Sequence, residues 1–301
     1  MALTYHILAH KNAAQIARLF RTLSHPDDFF VLHFDRRAPA ALHALGRELA
    51  AKHTNVRVQP AETVVWGGPK ISNLQIGAMA IALAQGAGWT HFINLTGQDF
   101  PLCSRGERIA RINRRPTANY LSWFDPLKTT HWSNARERLE RWHLHSAVLA
   151  RLLRLPGLGR RLRAALGWGN QLPYVPGLRR RWPDFFLYFG GSNYTVLTRE
   201  ACRHIVSDPV ANRIRRWLDH SAHADEIVFQ SILHSGALAP TLVNQDWREI
   251  DFPSHSPHPR TFLRSDLERL SATENLFARK FDEQVDSEIL DRLEQRVLTG
   301  S

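Results

Sequence analysis

The sequence predicts an α/β protein: a mostly parallel, twisted sheet flanked by helices and interrupted by a basic helical insertion. Three observations carry that prediction. Strand-like and helix-like patterns alternate from the first residues, which implies a parallel sheet with right-handed crossovers. A continuous apolar run, Phe92, Ile93 and Leu95 within HFINLTGQDFPL (91–102), reads as a strand buried on both faces. The stretch 124–184 then changes character, dense in Arg and Trp with repeated Pro and Gly.

Residues 5–9 (YHILA) form the first strand of the opening. His10-Lys11-Asn12 is a turn, and Asn12 is placed to cap a helix over 13–23, apolar at Ile16, Leu19, Phe20 and Leu23. Residues 29–34 (FFVLHF) read as a second strand, 40–52 as a helix and 56–58 as a third strand. Ser72 or Asn73 starts a helix running to Gln85, which leads into the apolar run. A helix over 104–113 and a strand over 120–123 follow. The insertion predicts two or three amphipathic basic helices over the sheet edge. Beyond it come a strand over 185–188, a glycine turn and strand within 190–197, and a helix over 199–207 capped by Thr198. A basic segment at 212–218, a helix over 227–233, a strand at 242–244, a proline loop and two acidic helices complete the chain.

Small and polar residues at the carboxyl end of a buried parallel strand are where α/β proteins place ligands. Thr96-Gly97-Gln98-Asp99 stands there: Gly97 permits close backbone approach and Asp99 offers a carboxylate. A plain strand-to-turn transition explains the same residues. Asp35, just past the second strand, is where nucleotide-binding sheets place a carboxylate for a ribose or base, although no GxGxxG follows the first strand. Trp66-Gly67-Gly68 joins an aromatic face to a permissive backbone, for a ligand or for a tight turn alike. Asp225 is expected to cap the 227–233 helix, and Glu226 to project from its first turn as a capping charge or as a general base. Helical neighbours point about 100° apart, so the two cannot face each other as a glycosidase pair. His220, His223 and Asp225 lack an established zinc spacing, and His255 and His258 are weaker as ligands still. Arg260, Arg279 and Lys280 suit a diphosphate or balance nearby acids; Phe277 and Phe281 bracket the latter pair and anchor it.

The 301 residues are 44% hydrophobic and 22% charged, an ordinary globular composition. A formal charge of +11 and a pI near 10.4 point to a polyanionic partner: nucleic acid, an anionic membrane or a phosphorylated ligand. The rival reading is a non-catalytic basic protein that binds nucleic acid or an anionic membrane surface; the lack of a helix-turn-helix or zinc-finger pattern counts against it, and no nucleic-acid partner is expected. A basic amphipathic insertion binds anionic lipid or forms a solvated cover over the site. No apolar run has the length of a membrane span, and the opening MALTYHILAHKN is too short and wrongly flanked for a signal peptide. Cys103 and Cys202, the only cysteines, provide neither a disulfide framework nor a Cys-based zinc site. The expectation is a cytoplasmic location, peripheral on the inner membrane face where the basic segment meets lipid.

The ordered set YHILAHKN, VLHFDRR, VVWGGPK, INLTGQDFPL, FGGSNYTVLTR, DEIVFQSIL and LFARKFD resembles glycosyltransferase family 14. That family includes the core-2/I-branching β-1,6-N-acetylglucosaminyltransferases and the peptide O-xylosyltransferases. The resemblance covers nearly the whole chain and is weakest over 124–184. The LFARKF segment is similar to the xylosyltransferase branch.

The resemblance implies a GT-A-like fold and inverting transfer from a UDP-sugar to a glycan, peptide or lipid-linked acceptor. It implies one glycosyltransferase domain over 1–301: a nucleotide-binding half (1–123), the insertion (124–184) and an acceptor and catalytic half (185–301). Glu226 matches the catalytic base. Arg260 and Lys280 match the diphosphate ligands, with Arg279 as a helper. Asp35, with Arg37, and the Trp66-Gly67-Gly68 turn match the uridine pocket. Asp99, Asn193, Tyr194 and Asp225 fall beside the sugar; Asn193 and Tyr194 replace an Asp and a Trp of the xylosyltransferases, which leaves xylose and N-acetylglucosamine both open. Glu137, Arg138 and Arg141 fall in the acceptor region. The animal enzymes carry a membrane anchor, a stem and many cysteines, so a bacterial-type, catalytic-domain-only member is the expectation. No metal or other cofactor is expected, because Thr96-Gly97-Gln98-Asp99 offers one carboxylate where most GT-A enzymes carry Asp-x-Asp.

Overall fold

Side chains of the first strands divide between two hydrophobic cores in the computed structural model, which describes residues 1–129, 132, 134–168, 172–253 and 258–300. In β1 (Ala2–Ala9), Leu3, Tyr5 and Ile7 enter one core. Strand alternation turns Thr4 and His6 to the other face, where His6 lies 6.1 Å from the Phe92 ring. Helix α1 (Ala13–Leu23) buries Ile16, Leu19, Phe20 and Leu23 on the first core, as its spacing predicts. All six residues of β2 (Phe29–Phe34) are buried. Helix α2 (Ala40–Lys52), β3 (Val56–Val58), α3 (Lys70–Ala84) and β4 (Trp89–Thr96) continue the alternation.

Two helix starts in this first half differ from expectation. Asn12 does not cap α1: it adopts φ 58°, and its amide donates to Asp282 at 3.1 Å instead. Helix α3 begins at Lys70, behind Pro69, so Ser72 and Asn73 lie inside its first turn. Pro69 holds the N-cap position, where a missing N–H costs no helical hydrogen bond.

After β4 the chain forms β5 (Asp99–Pro101), α4 (Arg105–Asn113), closed by a Ser104–Glu107 capping box, and β6 (Asn119–Leu121). The insertion holds α5 (Ala135–Glu140), β7 (Arg141–His143), α6 (Ala147–Leu152), α7 (Leu158–Ala165) and β8 (Tyr174–Arg179). Its helices were expected; the antiparallel β7–β8 pair was not. The strand expected over 185–188 does not form, and only Gly190 bridges to Phe124. Phe185 and Phe186 instead pack as side chains against the second core.

The last part contributes β9 (Thr195–Thr198), α8 (Arg199–Ser207), α9 (Pro209–Leu218), α10 (Val228–His234), β10 (Leu242–Asn244), β11 (Arg248–Ile250), α11 (Leu267–Ala272), β12 (Phe277–Arg279) and α12 (Glu288–Thr299). Thr198 caps α8 by accepting from the Ala201 N–H. The main sheet runs β10-β6-β9-β4-β1-β2-β3, parallel except where β9 pairs with β4 and β6. Helices α1, α2 and α12 pack on one face; α3, α8, α9 and α10 pack on the other. This is the α/β arrangement expected, a mostly parallel sheet flanked by helices. A second, three-stranded sheet, β11-β12-β5, carries the C-terminal basic pair beside the turn after β4.

Candidate active site

The carboxyl ends of β1, β2 and β4 open on one side of the sheet, as parallel strands require. A cleft of about 820 Å³ lies there. That volume falls in the range of small-molecule sites, roughly 300–1,000 Å³. Leu8, Ala9, Asn94, Leu95 and Thr96 line its floor.

Asp35 and Arg37 form one corner. Both Asp35 oxygens are within 2.9 Å of Arg37 nitrogens, and its carboxylate also accepts from the Arg37 and Val64 N–H groups. These bonds outweigh burial and hold the Asp35 carboxyl below the usual carboxylate range. Each oxygen already accepts two hydrogen bonds, which fills its capacity. The carboxylate therefore fixes Arg37 and the 64 backbone, whereas the Arg37 guanidinium remains half-exposed at the cleft. Trp66 is 62% exposed and meets the His223 ring edge-on at 4.7 Å. Gly67 adopts φ 73°, and a Cβ there would sit 2.5 Å from Leu172. Gly68 does not line the cleft; its missing side chain faces His145. The two glycines thus admit protein side chains, not an open ligand space.

Gly97 lines the cleft, but its missing Cβ also points at protein, 2.4 Å from Ile16 Cδ1. Asp99 is fully buried beneath the floor and does not line the cleft, contrary to its expected place beside a sugar. Its Oδ2 accepts from the Thr96 N–H, and Oδ1 lies 3.3 Å from Arg279 Nε, within ion-pair range but outside hydrogen-bond geometry. Burial pushes the Asp99 carboxyl up, against the pull of Arg279 and Arg248. Arg248 is buried too, donating to the Asn94 carbonyl at 2.6 Å. Both guanidiniums stack near the Tyr194 ring, at 5.1 and 5.3 Å.

Glu226 and Asp225 form the facing wall. They lie in a 3-10 turn, Ala224–Glu226, ahead of α10, so Asp225 does not cap that helix. His223 precedes it at φ 52°, its N–H donating to the Gly67 carbonyl at 2.8 Å. A non-glycine residue held at positive φ is a feature that clusters at functional sites. Burial pushes the Asp225 carboxyl up to about 7, with the Glu226 charge adding to it. Asn193 Nδ2 donates to Asp225 Oδ2 at 3.3 Å. Burial likewise raises Glu226, opposed by Arg138, whose Nη1 donates to Oε2 at 2.8 Å. Arg138 does not itself line the cleft; its guanidinium carbon lies over the Trp132 ring, 3.7 Å from the centroid.

Two expected site residues stand apart. Arg260 is held by Asp251 at 2.6 Å and by both oxygens of Asp266, and it is absent from the cleft lining. Arg141 pairs with Glu137 at 2.6 Å and stacks on Tyr174, also away from the cleft. Lys280 and Arg279 do line it, anchored by the fully buried Phe277 and Phe281 as expected.

Among the described residues, no group of three or more His, Cys, Asp or Glu side chains could hold a metal. His220 rests against Trp142, His258 lines the cleft, and His255 lies outside the described residues. Sequence reasoning missed Lys11, Arg154 and Arg248. Lys11 lines the cleft and pairs with Asp282 at 2.6 Å. Its place in the turn after β1, at the carboxyl edge of the sheet, was the signal that could have found it.

The fold and site define a class: an α/β protein whose cleft, at the carboxyl edge of a mostly parallel sheet, sets two carboxylates opposite basic side chains. A family model described as "Core-2/I-Branching enzyme" matches residues 3–274, and the chain belongs to that family. It is similar to Xylosyltransferase 2 of Homo sapiens, 27% identical over 97% of this chain and 33% of the relative. It is also similar to a Xylosyltransferase of Ciona intestinalis, 24% identical over 96% of this chain and 33% of the relative. The chain thus spans about a third of the length of the curated relatives it matches. Among solved structures it is similar to mouse Xyloside xylosyltransferase 1, with a TM-score of 0.37 and 9% identity over 92% of this chain and 96% of that one. A galactosyltransferase, LgtC, in complex with donor and acceptor sugar analogues gives a TM-score of 0.40 and 10% identity over 97% and 96%. Among the described residues, no helix is long and apolar enough to cross a membrane.

Proposed function

We propose that this protein is an inverting glycosyltransferase that moves a sugar from a UDP-sugar to an acceptor hydroxyl. The observation that carries the reading is that Glu226, a half-buried carboxylate with a raised pKa, lines the same cleft as Lys280. Glu226 takes the acceptor hydroxyl proton, and the acceptor oxygen bonds to the anomeric carbon from the face opposite the diphosphate. The bond from that carbon to the diphosphate oxygen breaks, and its electron pair leaves with UDP. Lys280 meets the growing charge directly, and Arg279 adds positive potential from the floor. Arg37 and Trp66 receive the uridine; Asn193 and Tyr194 meet the donor sugar.

No divalent metal is needed in this reading. Its support is Asp99, the carboxylate nearest the place where a metal site would form, which already faces Arg279 in a buried pair. The donor is UDP-xylose or UDP-N-acetylglucosamine, and the relatives' names favour xylose. The test is a donor screen that follows UDP release with glycan, peptide and lipid-linked acceptors. UDP release with one donor and one acceptor class, lost in Glu226→Gln, supports the reading. No release with any donor overturns it.

A further inference from the structure

Residues 141–183 contain nine arginines and no Asp or Glu. Among the described residues, ion pairs form at the edges of this segment, where Arg141 meets Glu137 and Arg179 meets Glu140. The same stretch is unusually apolar outside. Of the seventeen large hydrophobic residues exposed among the described residues, seven fall between 144 and 178. Helix α6 buries none of its residues: Val148 is 71% exposed, and Leu152, one turn on, is exposed beside it. Leu155 and Leu158 extend the patch, and Leu158 and Leu162 of α7 and Leu166 at its C-cap stand four apart. Residues four apart share a helix face. Arg151, Arg154, Arg160 and Arg161 are interleaved with them.

We propose that the face formed by α6 and α7 docks on an anionic phospholipid bilayer. Exposed leucines alternating with arginines over two short helices match the chemistry of an interfacial segment: leucines enter the acyl boundary while guanidiniums meet lipid phosphates. A second copy of this chain fits poorly, because the facing patches would bring like charges together with no acid between them. Nucleic acid would satisfy the arginines but leave the leucines in water. Arg154 also lines the cleft, so docking brings the cleft mouth to the headgroup level. On the transferase reading above, that position favours a lipid-linked acceptor; the docking itself does not depend on that reading.

The experiment is co-sedimentation of the protein with phosphatidylcholine vesicles, with and without phosphatidylglycerol. The expected result is binding only with phosphatidylglycerol, weakening as salt rises. Arg151→Gln/Arg160→Gln/Arg161→Gln should weaken binding by about 100-fold. Val148→Ser/Leu152→Ser/Leu155→Ser, which keeps every charge, should weaken it by about tenfold or more. Both native cysteines are buried, so Leu155→Cys carries an environment-sensitive dye at one place. That dye should shift to the blue on anionic vesicles. Absence of binding at low salt, full binding by the serine variant, or an unshifted dye would each overturn the proposal. So would tighter binding to duplex DNA than to the vesicles, or a concentration-dependent dimer lost in the serine variant.

Discussion

Arg138 Nη1 donates to Glu226 Oε2 at 2.8 Å, from a guanidinium that sits over the Trp132 ring and is almost buried. Burial favours the protonated form of Glu226, and Arg138 favours the charged form that a base requires. Arg138→Gln removes the second influence only. The pKa of Glu226 then rises, so the acid limb of kcat/KM should move to higher pH, by about 1–3 pH units. Glu226→Gln should cut turnover by about 10² to 10⁴ while calorimetry shows UDP still bound. An acid limb that stays in place in Arg138→Gln would remove Glu226 from the base role.

Asn193→Asp exchanges the donor that faces Asp225 Oδ2 for a second carboxylate. Asp225 already ionises only near 7, and a like charge raises it further. Activity should fall about tenfold or more, with the largest loss above pH 7, where the pair must share negative charge. A uniform loss across pH, read from kcat/KM profiles of both proteins, would argue against coupling.

Lys280→Ala should weaken UDP binding by roughly 10- to 150-fold, the loss of a charge-assisted contact. Arg260→Ala should leave UDP affinity within about threefold, because Asp251 and Asp266 hold that side chain away from the cleft. Its cost falls on stability and is small for a partly exposed pair, below about 1 kcal/mol. Calorimetry with UDP separates the two variants.

Gly97→Ala places a Cβ about where Ile16 Cδ1 already reaches, 2.4 Å away. Overpacking of this kind costs about 1–3 kcal/mol. Ile16→Val removes the clashing carbon, so the double variant should recover part of the lost stability, beyond the sum of the single effects. Urea unfolding of the four proteins gives that coupling directly.

Transfer should proceed in excess EDTA at the rate seen without it. Arg279 occupies Asp99, which leaves no carboxylate pair at the end of β4 for a hard cation. A rate abolished by EDTA and restored by manganese would place a metal in the cleft and end the metal-free reading.

Much of the fold was legible because its signals are local. The buried runs of β2 and β4, the spacing of Ile16, Leu19, Phe20 and Leu23, and the cap at Thr198 each read from a few neighbouring residues. The β7–β8 pair and the β11-β12-β5 sheet did not. Strands of three residues show almost no periodicity, and a partner can lie as far along the chain as Arg279 does from Asp99.

By itself the sequence determined the alternating strands and helices, the acid-free basic stretch 141–183 within the insertion, and the phenylalanine anchors around Arg279-Lys280. The tertiary structure alone decided which charges work in the cleft. Arg260 and Lys280 look alike in the sequence, yet two carboxylates claim one and the cleft receives the other. Asp99 and Glu226 look alike too, but one is sealed under the floor beside Arg279 and the other opens to the cleft beside Arg138. Side-chain type is written residue by residue. Burial and ionic partners depend on distances that exist only once the sheet has assembled.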